Sequence, residues 1–504
     1  MNYAKALEMS ALCFPDRTAV IEDGKEFSYR QLNEEANRIA SSLVTMSVQP
    51  GDHVAICAPN SYQWIAFYFG ILKVGAVAVT LSSALGRDDL NLLLGDARPK
   101  VLFTTKEKLS DLDEGTAKAY LRSIVSEGAE FSFGGLLEKG TASFRAVDRV
   151  RTETGAILYT GGTTGTPKGV MLSHENMISS AHNISHFERT YKEDRAMCVL
   201  PLNHVFGQIH IMGSMIYAGG SLVVQPGFEL DRVLDAVERH QATKFYGVPT
   251  IYIRLLKTEG IEKRLASLRY YFVSASSMPA ELVRAWKSLT GYDVNEAYGM
   301  TETAAMVTYN HYFRHVVGSV GTPVNIVEVQ VRDMEGNVVP DGSEGEICMK
   351  GPNMMKGYLN NPEETKALFW EGGWLRSGDV GVFDNEGYLF VVDRIKDMVI
   401  TGGENVYPRE IEEVLYKWPG VEECAIIGLP DAEYGERVTA CVVLKEKEKE
   451  LDEKGLKAFL KTSLASYKVP KEYILLDELP KAPTGKPLKR ELRKQCQKMV
   501  KDRK

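Results

Sequence analysis

Cysteine is scarce and unpatterned. The seven cysteines among 504 residues are Cys13, Cys57, Cys198, Cys348, Cys424, Cys441 and Cys496, with no C-x-x-C pair among them. An odd, scattered set argues against a disulfide framework or a structural zinc site and predicts reduced thiols in a cytoplasmic protein. Long apolar runs are missing too. The stretch from Trp64 to Val79 is interrupted by Lys73 and falls short of a membrane span. Nor is there a basic excess: 60 Lys and Arg against 67 Asp and Glu give a net charge of -7. That balance excludes a general nucleic-acid binder. Asp16, Glu22 and Asp23 stand where a signal peptide needs a continuous apolar core, and the terminal Lys-Asp-Arg-Lys does not read as a peroxisomal address. The basic tail from Lys489 to Lys504 reads as a solvated terminal helix.

What remains has the composition of a soluble globular protein, 44% hydrophobic and 25% charged. Its length suits about three domain-sized units, or two unequal ones. Strand and helix patterns alternate through the first part. Ser28 with Gln31 predicts a capping box, and Leu32, Ala36, Ile39, Ala40 and Leu43 follow at helical spacing. His53–Ala58 and Ala76–Leu81 read as strands around a helix from Ser61 to Val74. The pattern returns from Ser221 to Tyr298. Such alternation implies parallel sheets flanked by helices. After Gly318, short β-like runs separated by Gly, Asp, Asn and Pro predict a small antiparallel barrel or meander. After Asp393 a compact α+β pattern begins, with Pro408 near a helix start. The predicted fold is α/β: a large N-terminal domain (1–393) of two parallel-type sheets plus a small β-barrel, then a small mobile α+β domain (394–504).

The segment Tyr159-Thr-Gly-Gly-Thr-Thr-Gly-Thr-Pro-Lys-Gly169 carries the strongest chemical signal. Glycines let backbone N–H groups curl around an anion, threonines add hydroxyl donors, and Lys168 adds positive charge. Together these suit a polyphosphate held between two buried strands. The segment is not a Walker A loop, because Thr166 and Pro167 separate Gly165 from Lys168 and Gly169 replaces the required Ser or Thr. Taken alone it also suits a plain Gly/Thr hairpin.

Other polar clusters follow predicted strands, where α/β sheets bind ligands. In Tyr298-Gly-Met-Thr-Glu-Thr303, Glu302 can hold a divalent cation, Thr301 can donate to phosphate and Tyr298 can stack on a base. Ser377-Gly378-Asp379 reads as a carboxylate on a turn, and Pro483-Thr484-Gly485-Lys486 as a lysine on another. Pro201-Leu202-Asn203-His204, Gly357-Tyr358, Asp393-Arg394-Ile395-Lys396-Asp397, Gly402-Gly403-Glu404-Asn405 and Pro408-Arg409-Glu410-Ile411-Glu412 complete the series.

In this order along one chain, these segments resemble the adenylate-forming superfamily of acyl-CoA synthetases, standalone adenylation domains and luciferases. The resemblance runs from about Phe14 to Arg490. It implies that Thr160, Gly161, Gly162, Thr163, Thr164, Gly165 and Lys168 cradle the ATP phosphates. It further implies phosphate and Mg²⁺ contacts from Thr301 and Glu302, and a ribose pair in Asp379 and Arg394. Ser276, Ala297, Tyr298 and Gly299 would line the adenine and acyl entrance. Lys486 would stabilise adenylation, and Lys396 would be the hinge of the small domain. Gly402, Gly403 and Tyr434 match a pantetheine tunnel; His204, Tyr246, Gly247 and Met306 match an acyl pocket. The sequence departs from the family at Gly161, where Ser is frequent, at Asn203, where an aromatic is frequent, and where Ser274–Ser277 runs directly into Met278-Pro279.

The resemblance implies an AMP-forming acid–thiol ligase: acid and ATP give acyl-AMP and pyrophosphate, then CoA takes the acyl group and AMP leaves. ATP and CoA are substrates, Mg²⁺ the cofactor, and the partner a small carboxylic acid, with the chain a monomer or homodimer. The residues near the acyl pocket are mostly apolar, with no buried Lys or Arg expected for a second carboxylate. A fatty, alicyclic or aromatic monocarboxylate fits. Alternatives are an enzyme that loads a carrier-protein phosphopantetheine, a luciferase-like oxygenase and a non-catalytic nucleotide binder.

Overall fold

The computed structural model describes residues 1–160, 167–274, 278–311, 313–431, 433–445, 451–481 and 487–502. Two seven-stranded sheets form the body. In the first, His53–Cys57 pairs in parallel with Val77–Leu81 and Val101–Thr104, and Val77–Leu81 with Thr154–Thr160. The strand Lys168–Ser173 then runs antiparallel to Thr154–Thr160, and Gly357–Tyr358 runs antiparallel to Lys168–Ser173. In the second, Arg195–Cys198, Ser221–Val224, Lys244–Gly247, Tyr270–Val273 and Val294–Glu296 are parallel neighbours. Their common direction brings the ends at Gly247, Val273 and Glu296 to one edge.

The helix Tyr62–Val74 is buried except at Gln63, as a nearly all-round apolar helix is when it packs inside a core. Ser61 Oγ caps it by accepting from Trp64 N–H at 3.1 Å, and Gly75 ends it at φ +80°. One continuous apolar core joins this helix to strands of both sheets. Lys73 lies fully inside that core, paired with Glu8 at 2.7 Å. Ser28 Oγ accepts from Gln31 N–H at 3.1 Å, but Gln31 Nε2 donates to Glu35, so only half of the predicted capping box forms.

Beyond Gly318, five strands from Glu328–Arg332 to Leu389–Arg394 make the small antiparallel β unit. From Val399 onward, a second five-stranded sheet carries its own cores on both faces. One is built on Ile411, Ile426 and Leu460. The other packs Ile427, Leu429 and Ile474 against the terminal helix Lys489–Asp502. That helix was expected to be merely solvated, yet its own Leu492 and Cys496 are fully buried against the sheet. Its basic face is solvent-facing because the apolar residues at four-residue spacing take the other side. All seven cysteines are free thiols. Among the described residues no helix is long and apolar enough to cross a membrane.

Candidate active site

The two strands that flank the Gly/Thr segment form a hairpin whose last described pair is Thr160 opposite Lys168. Gly161, Gly162, Thr163, Thr164 and Gly165 lie outside the described residues, as do Ser276 and Lys486. The hairpin is anchored from below. Ser173 and Asn176 form a reciprocal cap at the start of the helix His174–Phe187, and Asn176 Nδ2 donates to Pro352 O at 2.7 Å and Met354 O at 2.8 Å. That bond draws residues 352–359 alongside. Gly357–Tyr358 thereby pairs with Val170–Met171, and Tyr358 comes beside the lysine.

Glu302 lies on a single 3-10 turn, Thr301–Thr303, and the same segment stitches it down. Met355 N–H donates to Glu302 O at 2.7 Å and Asn353 Nδ2 to Thr303 O at 2.9 Å. The Tyr358 hydroxyl donates to Glu302 Oε1 at 2.8 Å, and Lys168 Nζ stands 5.1 Å from the Tyr358 ring centre. Lys168 is also ion-paired with Glu364. Burial pushes the Glu302 carboxyl up from its usual range, opposed by the Tyr358 bond, Arg394 and Lys168. A buried carboxylate in this condition gains from a cation. No group of three or more His, Cys, Asp or Glu that could hold a metal occurs among the described residues. One protein carboxylate is what a Mg²⁺ that arrives on phosphates and keeps its waters requires, so Glu302 fits that ion.

The local backbone is strained to build this turn. Ala304 and Ala305 lie at φ +50° and +99°, a region costly for alanine. Gly299 makes it feasible: its strand faces Met306, and a Cβ there would sit 1.8 Å from Ala305 O. Thr301 is buried at the start of the turn, and Met306 is buried at its exit.

Ala297 and Tyr298 continue from the strand Val294–Glu296. The Tyr298 hydroxyl donates to Asp379 Oδ2 at 2.6 Å. Asp379 was expected on a turn; it lies within the strand Trp374–Phe383, directly opposite Arg394. Gly378 at φ +71° supplies the local irregularity that made the sequence read as a turn. Arg394 Nε is 3.1 Å from Asp379 Oδ1 but off the hydrogen-bond axis, so that buried oxygen keeps free acceptor capacity. A vicinal diol is a matching donor. The structure thus brings Lys168, Thr301, Glu302, Tyr298, Asp379 and Arg394 to one edge.

Sequence reasoning missed two groups here. Glu296, fully buried behind Ala297, has its carboxyl pushed up to about 7 by burial, and one oxygen lacks a partner. Beneath the second sheet, at Lys244 and Tyr246, lies a buried polar cluster around Glu188. Tyr246 and Tyr309 hydroxyls each donate to it at 2.5 Å, His210 Nε2 lies at 2.6 Å and Lys244 Nζ at 3.1 Å. Although burial opposes it, Lys244, His210 and Tyr246 hold the Glu188 carboxyl down to about 2. The expectation of no buried lysine beside the residues assigned to an acyl pocket fails at Tyr246: Lys244 is buried, and Glu188, which it shares with that tyrosine, neutralises it. A lysine opening an otherwise apolar strand, Lys244–Gly247, was the available signal. His210 lies on a π-helical stretch, Phe206–Gly213, which no simple periodicity reveals.

His204 Nδ1 accepts from Phe206 N–H at 3.2 Å, and burial pushes the imidazole down to about 4, so the ring is neutral near pH 7. Gly247 is buried, with a Cβ there meeting the Tyr252 ring at 3.0 Å. The remaining expected site residues stand apart. Gly402 and Gly403 form an exposed turn at φ +61° and +85°, and Gly402 N–H donates to Tyr434 O at 2.8 Å. Tyr434 is itself exposed beneath Lys471. These three are therefore adjacent to one another and solvent-facing. Lys396 lies on the short turn Ile395–Asp397, two positions after Arg394.

Residues 7–359 match the model of the AMP-binding enzyme family, and residues 410–486 match that of the AMP-binding enzyme C-terminal domain. A long-chain-fatty-acid–CoA ligase of Bacillus subtilis (strain 168) is 33% identical, over 96% of this chain and 92% of that protein. A feruloyl-CoA synthase of an Amycolatopsis species is 35% identical, over 95% and 96%. Among solved structures, ATP-bound MatB from Rhodopseudomonas palustris superposes with a TM-score of 0.92 at 35% identity, over 98% of this chain and 99% of that one. By family model, relatives and fold alike, this chain belongs to the AMP-binding enzymes, and within them to the AMP-forming acyl-CoA synthetases.

Proposed function

We propose that the chain activates an apolar monocarboxylic acid at the edge that carries Glu302, with roles divided as follows. ATP lies with its ribose hydroxyls on the open Asp379 oxygen and Arg394, its adenine beside Tyr298 and Ala297, and its phosphates on Thr160–Lys168 and Thr301. The acid carboxylate attacks the α-phosphorus in line; the bond to the bridging oxygen breaks and pyrophosphate leaves. Both reactants are anionic, so charge neutralisation and positioning dominate the barrier. Mg²⁺ held by Glu302 and the phosphates would spread the charge that develops on the pyrophosphate oxygens. Lys486 adds positive charge in this step. The CoA thiolate then attacks the acyl carbonyl, the C–O bond to phosphate breaks, and AMP leaves. Gly402, Gly403 and Tyr434 serve this second step once the segment after Lys396 has turned.

The observation that carries this reading is the meeting of Glu302, Tyr358 and Lys168 on one side with Tyr298, Asp379 and Arg394 on the other. It supports a nucleotide laid across the gap, ribose at one end and phosphates at the other. Support for an apolar acid comes from Tyr246 and Lys244. The polar tips of both are committed to Glu188, so neither offers a free charge or hydroxyl to a second polar group of the acid. Relatives that act on long-chain fatty acids and on feruloyl groups fit that range. The test is pyrophosphate release over a panel of linear, branched, alicyclic, aromatic and amino acids, with and without CoA. Release that depends on one apolar acid and rises with CoA is expected. Release indifferent to CoA points to a carrier protein as acceptor; none with any acid overturns the reading.

A further inference from the structure

Glu364 lies outside every segment that marks the nucleotide site in the sequence, yet it holds the lysine of the phosphate loop. Its helix, Pro362–Ala367, starts with Asn361 Oδ1 accepting from Glu364 N–H at 3.2 Å. Thr365 in the next position accepts from Tyr358 N–H at 2.9 Å. Those two bonds fix the helix start against the strand Gly357–Tyr358. They aim the Glu364 carboxylate at Lys168, whose ammonium it pairs with while the lysine lies over the Tyr358 ring. Both partners are only partly exposed, 18% for the lysine side chain and 37% for the glutamate. The hydroxyl of Tyr358 donates to Glu302.

A lysine cannot hold a carboxylate at contact distance and also serve a phosphate chain fully. A negative charge beside that chain also repels it. We propose that Glu364 is a positioning residue that parks Lys168 beside Tyr358 in the nucleotide-free enzyme and is exchanged for the ATP phosphates on binding. Glu364 thereby lowers ATP affinity while holding the lysine in one place beside Tyr358. This rests on the reading of Lys168 as a phosphate ligand, and the two can fail separately.

The measurement is calorimetric binding of Mg·ATP to the full chain, its Lys168→Ala, Glu364→Gln and doubly substituted variants. Glutamine keeps the shape and removes the charge. Glu364→Gln is expected to tighten ATP binding about three- to tenfold, the range of a partly exposed ion pair plus one nearby like charge. Lys168→Ala is expected to weaken it, and the gain from Glu364→Gln is expected to shrink to less than twofold when Lys168 is absent. The gain should also fall as salt is raised from low to high ionic strength. Unchanged or weaker ATP binding by Glu364→Gln, with Lys168→Ala weak as expected, overturns the proposal alone. A gain that persists in full without Lys168 also overturns it. If Lys168→Ala binds ATP as the parent does, the phosphate-loop reading falls with it.

Discussion

Tyr298 and Asp379 are 81 positions apart, and the hydroxyl of one donates to the carboxylate of the other at 2.6 Å inside the site. The bond ties the end of the second parallel sheet to the small antiparallel sheet. It also spends one Asp379 oxygen, Oδ2, and leaves Oδ1 for ligand. Asp379→Asn should reduce kcat/KM for ATP about 10- to 100-fold, the loss of one or two charge-assisted bonds. Tyr298→Phe should cost about threefold at most through orientation alone. Steady-state pyrophosphate release with ATP varied reads both.

Glu188 predicts an acid-side signature. Its folded pKa, about 2, is below the 4.5 of a free glutamate, so it adds stability above pH 4.5 that is lost as the pH falls towards 2. Glu188→Gln removes that contribution and strands Lys244. It should destabilise the protein by about 3–5 kcal/mol at pH 7, with a smaller difference at pH 3. Urea unfolding at both pH values checks the sign.

Glu296 predicts the opposite slope. Its folded pKa, about 7, lies above 4.5, so its stabilisation is complete below pH 4.5 and is lost as the pH rises through 7. Glu296→Gln keeps the acceptor for Met278 N–H at 3.3 Å and cannot ionise. The variant should melt above the parent at pH 8 by several degrees and by little at pH 5. Equal shifts at the two pH values would remove the ionisation argument.

The two half-reactions should separate by mutation. Lys486→Ala is expected to lose acid-dependent pyrophosphate release while still making thioester from supplied acyl-AMP. Gly403→Leu, placed in a turn with open space around it, is expected to do the reverse. Each loss should be about 100-fold or more in its own step, the scale of one well-placed group. Pyrophosphate and thioester are measured in parallel.

Gly299→Ala should abolish adenylation and lower stability by about 3 kcal/mol or more, because its Cβ has no room beside Ala305 O. Far-ultraviolet circular dichroism during heating separates a folded, inactive protein from an unfolded one.

Much of this was legible because local signals agree with global ones. The strands read at His53–Ala58 and Ala76–Leu81 are His53–Cys57 and Val77–Leu81 in the structure, within one residue of their hydrophobic runs. Pro408 opens its helix at the first turn, as its fixed φ prefers. What stayed hidden depends on partners distant in sequence. Glu188 meets Lys244 across 56 positions and Tyr309 across 121, and no window spans either. Asp379 looked like a turn because Gly378 interrupts a strand whose pairing partner, Arg394, lies beyond the next bend. The terminal helix hid its apolar stripe beneath a basic composition.

The short turn after Arg394 would carry a kinetic consequence. Arg394, which faces Asp379 across the strand pair, is two positions from Lys396, the proposed pivot of the small domain. If the small domain turns about Lys396, nucleotide departure and return of that domain would be joined through this turn, like a latch and the door it closes. On that reading the thioester would leave first, from the side of Gly402 and Gly403, and AMP only after the latch opens. Release in that order, with AMP last, would make free AMP compete with ATP and not with CoA.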